Sequence, residues 1–173
     1  MHTYLGIDPS LTSTGIVLLS SNTRPTEIAL CPTTRKYRLS WFYSEVEKLL
    51  WGRRVTYAAI EGPSYGSVGR GSDLDQLRGA LRLLLELRNI PYVIPAPKEV
   101  KKFGAGLGGA TKPQMVRAAN ADGCASDLDD ICDAWHLARL AEGVYLGRSP
   151  KPTRASAQVV HNLITRVAEH ASL

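Results

Sequence analysis

Four carboxylates occupy positions where a folded chain rarely leaves a charge without a purpose. Asp8 closes the apolar run TYLGID, Glu61 closes RVTYAAIEG, and Asp130 and Asp133 lie three residues apart within SDLDDICDAWHLARLAEGVYLG. A carboxylate at the end of a core-seeking strand is costly unless something binds it. On a helix, residues three apart share a face, about 5–6 Å apart at Cβ. One account is local: Asp127, Asp129 and Asp130 favour the positive end of a helix dipole. It leaves Asp133 unexplained, because that acid sits among Ile131, Ala134 and Trp135, where a lone carboxylate is raised in pKa or left unpaired. The other account is that strand-end and helix acids converge on Mg²⁺, a hard ion that takes oxygen ligands. Ser10, Thr12, Ser13 and Thr14 follow Asp8 and either contact phosphate oxygens or only close a local turn.

Elements that would position these acids are legible in outline. Residues 3–8, 14–20 and 26–31 are short β-favouring runs separated by PSLTS and SNTRPT, an antiparallel meander. A helix is expected over about 39–51, then the strand ending at Glu61. GPSYGSVGRGS is a glycine-rich loop, and Ser72 with Asp75 resembles a capping box opening the long helix DLDQLRGALRLLLELRN. IPYVIPAP is a short buried strand ending in prolines. FGAGLGGA is a second glycine loop, followed by Thr111 and Gln114 capping the helix KPQMVRAANA. Ser126 is the expected N-cap of the last long helix. From Arg148 the segment RSPKPTR reads as a linker to a weak amphipathic helix near 155–170. The order of elements predicts an α/β layered domain with a mixed sheet.

The 173 residues, 44% hydrophobic and 21% charged, suffice for one full core. Cys31, Cys124 and Cys132 form neither an even framework nor a CxxC pair, which points to reduced, inert packing thiols. MHTYLGID has no basic n-region or apolar h-region, and no run approaches the ~20 apolar residues of a membrane span. A cytoplasmic protein without a membrane partner is therefore expected. The net charge of +5 is compatible with a polyanion.

GIDPSLTSTGIVLL, AIEG, LDQLRGALRLLLELRNIPYVIPAPKEVKKFGAGLGGATKPQM and DICDA, taken in order, resemble the RuvC Holliday-junction resolvases over residues 3 to about 146. The resemblance implies a ribonuclease-H-like layered fold with a central five-stranded mixed sheet flanked by helices. It divides the chain into a nuclease domain, 1–147, and a basic C-terminal extension, 148–173. It implies a homodimer, formed through the long helix after the first glycine loop, that nicks four-way DNA junctions with Mg²⁺, two ions per site, Mn²⁺ substituting. By motif, Asp8, Glu61, Asp130 and Asp133 match the family's catalytic, metal-binding acids; Asp129 is a possible substitute for Asp130. Lys101 and Lys112 match lysines at the scissile region, Lys112 as a catalytic residue. Ser10, Thr12, Ser13, Arg70, Lys98 and Lys102 are further candidate DNA contacts. Tyr65 is the nearest aromatic after Glu61 for a wedge, at a spacing that departs from the family's. The tail from Arg148 is basic, and either Lys151, Arg154 and Arg166 add phosphate contacts or the tail is a loose terminus; His136 is expected to pack or cap rather than join the site.

The size and these departures suggest a bacteriophage or otherwise diverged member, acting in the bacterial host cytosol. Other classes stay open: a debranching nuclease for flaps, forks and three-way junctions, a junction-binding module without catalysis, or an actin-like ATPase, for which 173 residues are too few.

Overall fold

The structure, a computed structural model, describes residues 2–20, 23–32, 36–64 and 72–170. Three antiparallel strands, β1 (Thr3–Asp8), β2 (Thr14–Ser20) and β3 (Thr23–Leu30), form the expected meander. Helix α1 (Arg38–Leu50) leads to β4 (Tyr57–Ile60), which pairs in parallel with β1; α2 (Ser72–Leu87) leads to β5 (Tyr92–Val93), parallel to β4. The resulting five-stranded mixed sheet has the order β3-β2-β1-β4-β5. It matches the ribonuclease-H-like architecture expected from the sequence. Helices α3 (Pro97–Ala105), α4 (Lys112–Ala121), α5 (Asp129–Leu146) and α6 (Arg154–His170) complete the chain. Among the described residues, no helix is long and apolar enough to cross a membrane.

Side chains alternate across the sheet with the two-residue strand period. Leu5, Ile7, Ile16, Leu18, Ala58 and Ile60 face α1 and α2 with Phe42, Val46, Leu77, Leu81 and Leu85, whereas Tyr4, Val17 and Ala59 face α5. Asp8 shares the α5 side with Gly6 and Tyr4. Helix α5 is apolar nearly all round, as suits a helix covered on one flank by the sheet and on the others by α3, α4 and α6.

Three local expectations are corrected. Helix α3 occupies a stretch read as strand end and glycine loop: Pro97 sits in the first turn, where a missing N–H costs nothing, and Glu99 Oε2 accepts the Ala96 amide at 2.8 Å. Helix α5 begins at Asp129 with Leu128 as N-cap, and Ser126 Oγ instead accepts the Leu128 amide at 3.2 Å in the preceding turn. The tail is not loose: Val159, Val160 and Leu163 of α6 are buried in the α5-side core. By contrast, Gln114 accepts the Thr111 amide at 2.8 Å as expected. The Ser72 side chain of the proposed capping box lies outside the described residues. Cys124 and Cys132 are buried, while Cys31 is exposed and so packs less than expected.

Candidate active site

Parallel pairing aligns Ile7 with Ile60, so the next residues, Asp8 and Glu61, leave adjacent strand ends side by side. The Glu61 amide donates to the Ile7 carbonyl at 3.0 Å, which continues the register to the acid itself. Across the other edge of β1, Asp8 pairs with Gly15. Helix α5 crosses here, and two glycines let it lie against the sheet backbone. A Cβ at Gly6 would stand 2.0 Å from the Ala134 carbonyl oxygen, and one at Gly15 would stand 2.0 Å from that of Asp130. The helix acids therefore come down onto the strand acids.

The four are close enough to perturb one another. Burial pushes the Asp8 carboxyl well above the ordinary range, and the charges of Glu61, Asp133 and Asp130 push it further. Glu61 is raised to about 7, by burial and then by Asp133, against the lowering pull of Arg78 and Lys101. Asp133 is raised to about 6, by burial and then by Asp129, opposed by Lys101 and Lys112. Asp8 and Glu61 are near enough that the charge of Glu61 raises the cost of ionising Asp8 further. Asp133 Oδ1 is buried with no hydrogen-bond partner.

A buried, unpartnered carboxylate oxygen among like charges is a costly arrangement that a cation would relieve. The donors are all hard oxygens, so the set suits Mg²⁺ rather than a soft metal. Among the described residues, no three His, Cys, Asp or Glu side chains are gathered tightly enough to enclose an ion as they stand. Binding would draw the carboxylates inward as it deprotonates them.

Cations ring the acids. Lys112, at the first position of α4, is exposed and forms an ion pair with Asp129, which raises the lysine's pKa and lowers that of the acid. Asp129 is thus committed to Lys112, and Asp133 rather than Asp129 is the more buried of the two. Lys101 flanks Glu61 and Asp133 from α3, and Lys98 and Lys102 lie on the same helix, exposed and half-buried. Arg78 was not singled out by sequence, yet its Nε donates to the Glu61 carbonyl at 3.3 Å and its charge reaches both Asp8 and Glu61. The one signal for it was Asp75, three residues earlier on α2, whose Oδ1 accepts from Arg78 Nη1 at 3.1 Å.

The hydroxyls after Asp8 knit a turn. Thr14 Oγ1 donates to the Ser10 carbonyl at 2.7 Å, the Ser10 and Thr12 hydroxyls lie 3.2 Å apart, and the Ser13 amide donates to Ser10 Oγ at 3.4 Å. Tyr65 and Arg70 lie outside the described residues. His136 is buried away from the acids: its Nε2 contacts the Met115 carbonyl at 3.1 Å and its Nδ1 faces Lys151, as expected of a packed histidine. One tail residue, Lys151, is corrected as a phosphate contact. Lys151 is buried against Gly104, His136 and Asp122, and Arg166 pairs with Glu99; Arg154 is exposed.

A profile of the family described as "Crossover junction endodeoxyribonuclease RuvC" matches residues 4–138. A protein of that name from Chloroherpeton thalassium is 27% identical over 91% of this chain and 95% of its own length. Another, from Brachyspira hyodysenteriae, is 30% identical over 78% of this chain and 89% of its own length. In fold, the chain is similar to the Thermus thermophilus RuvC structure, with a TM-score of 0.66, 17% identity and 96% of each chain covered. The same protein in complex with a Holliday junction substrate gives a TM-score of 0.66 and 17% identity over 97% of each chain.

Proposed function

The chain belongs to the RuvC family of crossover junction endodeoxyribonucleases, and on that footing we propose that it is a Mg²⁺-dependent endonuclease that resolves four-way DNA junctions by paired symmetric nicks. The observation that carries this reading is the buried, partnerless Asp133 Oδ1 within a cluster of mutually repelling acids at the joined strand ends. Such a cluster costs stability by itself, and bound cations would relieve that cost.

Asp8, Glu61, Asp130 and Asp133 would hold two Mg²⁺ ions, with Mn²⁺ able to substitute. Bound there, such ions activate water and polarise the scissile phosphate. Arg78 would keep Glu61 oriented through its carbonyl and temper the charge of the strand acids. Lys112 stands at a helix N-terminus, where its ammonium and the local dipole both favour a phosphate. Lys101 would offset the same charge from α3, with Lys98 and Lys102 tracking the backbone beside it. The turn at Ser10, Thr12 and Ser13 would meet a neighbouring phosphate. Water adds to phosphorus as the bond to the 3′-oxygen breaks, which leaves 5′-phosphate and 3′-hydroxyl ends.

Paired nicks need two sites related by symmetry. The outer face of α2 supports a homodimer: Gly79, Leu83 and Leu87 are exposed, and a Cβ at Gly79 would meet nothing within 4 Å. Small and apolar residues along one helix stripe allow close approach of a second copy.

The test is a cleavage assay with Mg²⁺ on an end-labelled immobile four-way junction beside a flap, a fork and plain duplex. Symmetric nicks confined to the junction are expected. Cuts on every branched substrate would replace this reading with a debranching nuclease, and binding without cuts would leave a junction-binding module.

A further inference from the structure

Past residue 138, where the family match ends, the chain folds back over α3 and grips it at both ends. In the first turn of α3, Arg166 Nη2 donates to Glu99 Oε1 at 2.7 Å and Nη1 to Glu99 Oε2 at 3.4 Å. That second oxygen also accepts the Ala96 amide that opens the helix. In the last turn, Lys151 Nζ donates to the Gly104 carbonyl at 3.2 Å and lies 5.4 Å from the centre of the Phe103 ring. The same ammonium faces His136 Nδ1 at 3.3 Å and Asp122 Oδ2 at 3.6 Å, with 9% of the side chain exposed. Lysine is seldom buried so deeply without specific partners.

Between these grips, α3 turns Val100 and Phe103 into the core and carries Lys101 on the flank toward Glu61 and Asp133. The fit leaves no slack: a Cβ on Gly104 would come within 2.9 Å of the His136 ring, and His136 is one turn along α5 from Asp133. Movement of α3 therefore shifts Lys101 relative to the acids.

We propose that the C-terminal segment is a clasp in which Arg166 and Lys151 are positioning residues, fixing α3 and through it the placement of Lys101 beside the acid cluster. Its effect on cleavage rests on the proposed nuclease activity; its mechanical effect on α3 does not. The Arg166–Glu99 pair is partly exposed and so adds little to global stability, which separates positioning from folding.

The experiment uses full-length R166A, R166K, K151M, K101A and the R166A/K101A double variant. Amide hydrogen exchange across residues 97–105 is expected to quicken roughly tenfold in R166A and K151M, with α1 unchanged, and to return toward the parent rate in R166K. In single-turnover junction cleavage, R166A is expected to be about tenfold slower with junction affinity within about twofold, and the double variant no slower than K101A. Unchanged exchange in α3 for both R166A and K151M overturns the clasp, as do rate losses that multiply in the double variant. If the parent protein leaves the junction uncut, the nuclease reading fails on its own and the exchange measurement still decides the clasp.

Discussion

Gly15 of β2 lies directly beneath the Asp130 carbonyl of α5, so close that a β-carbon would sit 2.0 Å from the oxygen. Gly15 is also the cross-strand partner of Asp8. One missing side chain thus sets how near the helix acids come to the strand acids.

Gly15→Ala should push α5 off the sheet. Overpacking of this kind costs about 1–3 kcal/mol, and a chain of this size loses about 2–4 °C in Tm for each. Cleavage should fall far more than the melting temperature suggests, because the acids are separated. A variant that melts lower yet cuts at the parent rate would show that the approach of α5 does not matter to the chemistry.

Asp8→Asn removes one of the central charges while keeping shape. Junction binding should persist, and Mg²⁺-dependent cleavage should drop by at least about 10²–10³-fold. Filter binding and gel cleavage read the two properties separately, and retained cleavage would sink the assignment of the site.

Acidity should govern stability in a particular direction. Glu61 at about 7, Asp133 at about 6 and a raised Asp8 hold protons in the folded state that the unfolded chain releases near 4.5 and 3.8. The folded state binds more protons, so stability from these groups is greatest below the unfolded values and falls as pH rises to about 7. Added Mg²⁺ competes with those protons and should raise Tm more at pH 8 than at pH 5. Thermal melts in EDTA and in MgCl₂ at both pH values test this, and an equal Mg²⁺ shift at each would contradict it.

Lys112→Ala should leave Tm nearly unchanged, since its pair with Asp129 is largely exposed. The rate of cleavage at saturating Mg²⁺ should fall about 10²-fold, the scale for losing one charge-stabilising group. An unaltered rate would reduce Lys112 to a surface lysine.

Leu83→Arg on the outer face of α2 should yield a folded monomer by light scattering. It should nick single strands without pairing the cuts, and a dimer that survives would move the interface elsewhere.

Much of the sheet was legible because its strands are short, nearly continuous apolar runs bounded by turn residues, and both strand-end acids break such a run visibly. Helix α3 was missed because its flanking prolines and glycines mimic a loop. Pro97 in the first turn and Glu99 reaching back to Ala96 were the signals present, and they describe a helix start rather than a strand end.

The residue pattern alone determined which acids end strands and share a helix face, since those facts follow from spacing along one element. Tertiary structure decided what stands beside what. Arg78 on α2 reaches Glu61, Lys112 is tied to Asp129, and Lys151 lies buried under α3 instead of exposed to phosphate. Such pairings depend on how closely helices approach the sheet, which at Gly6 and Gly15 is set by backbone contact between elements far apart in the chain. No local period records that distance.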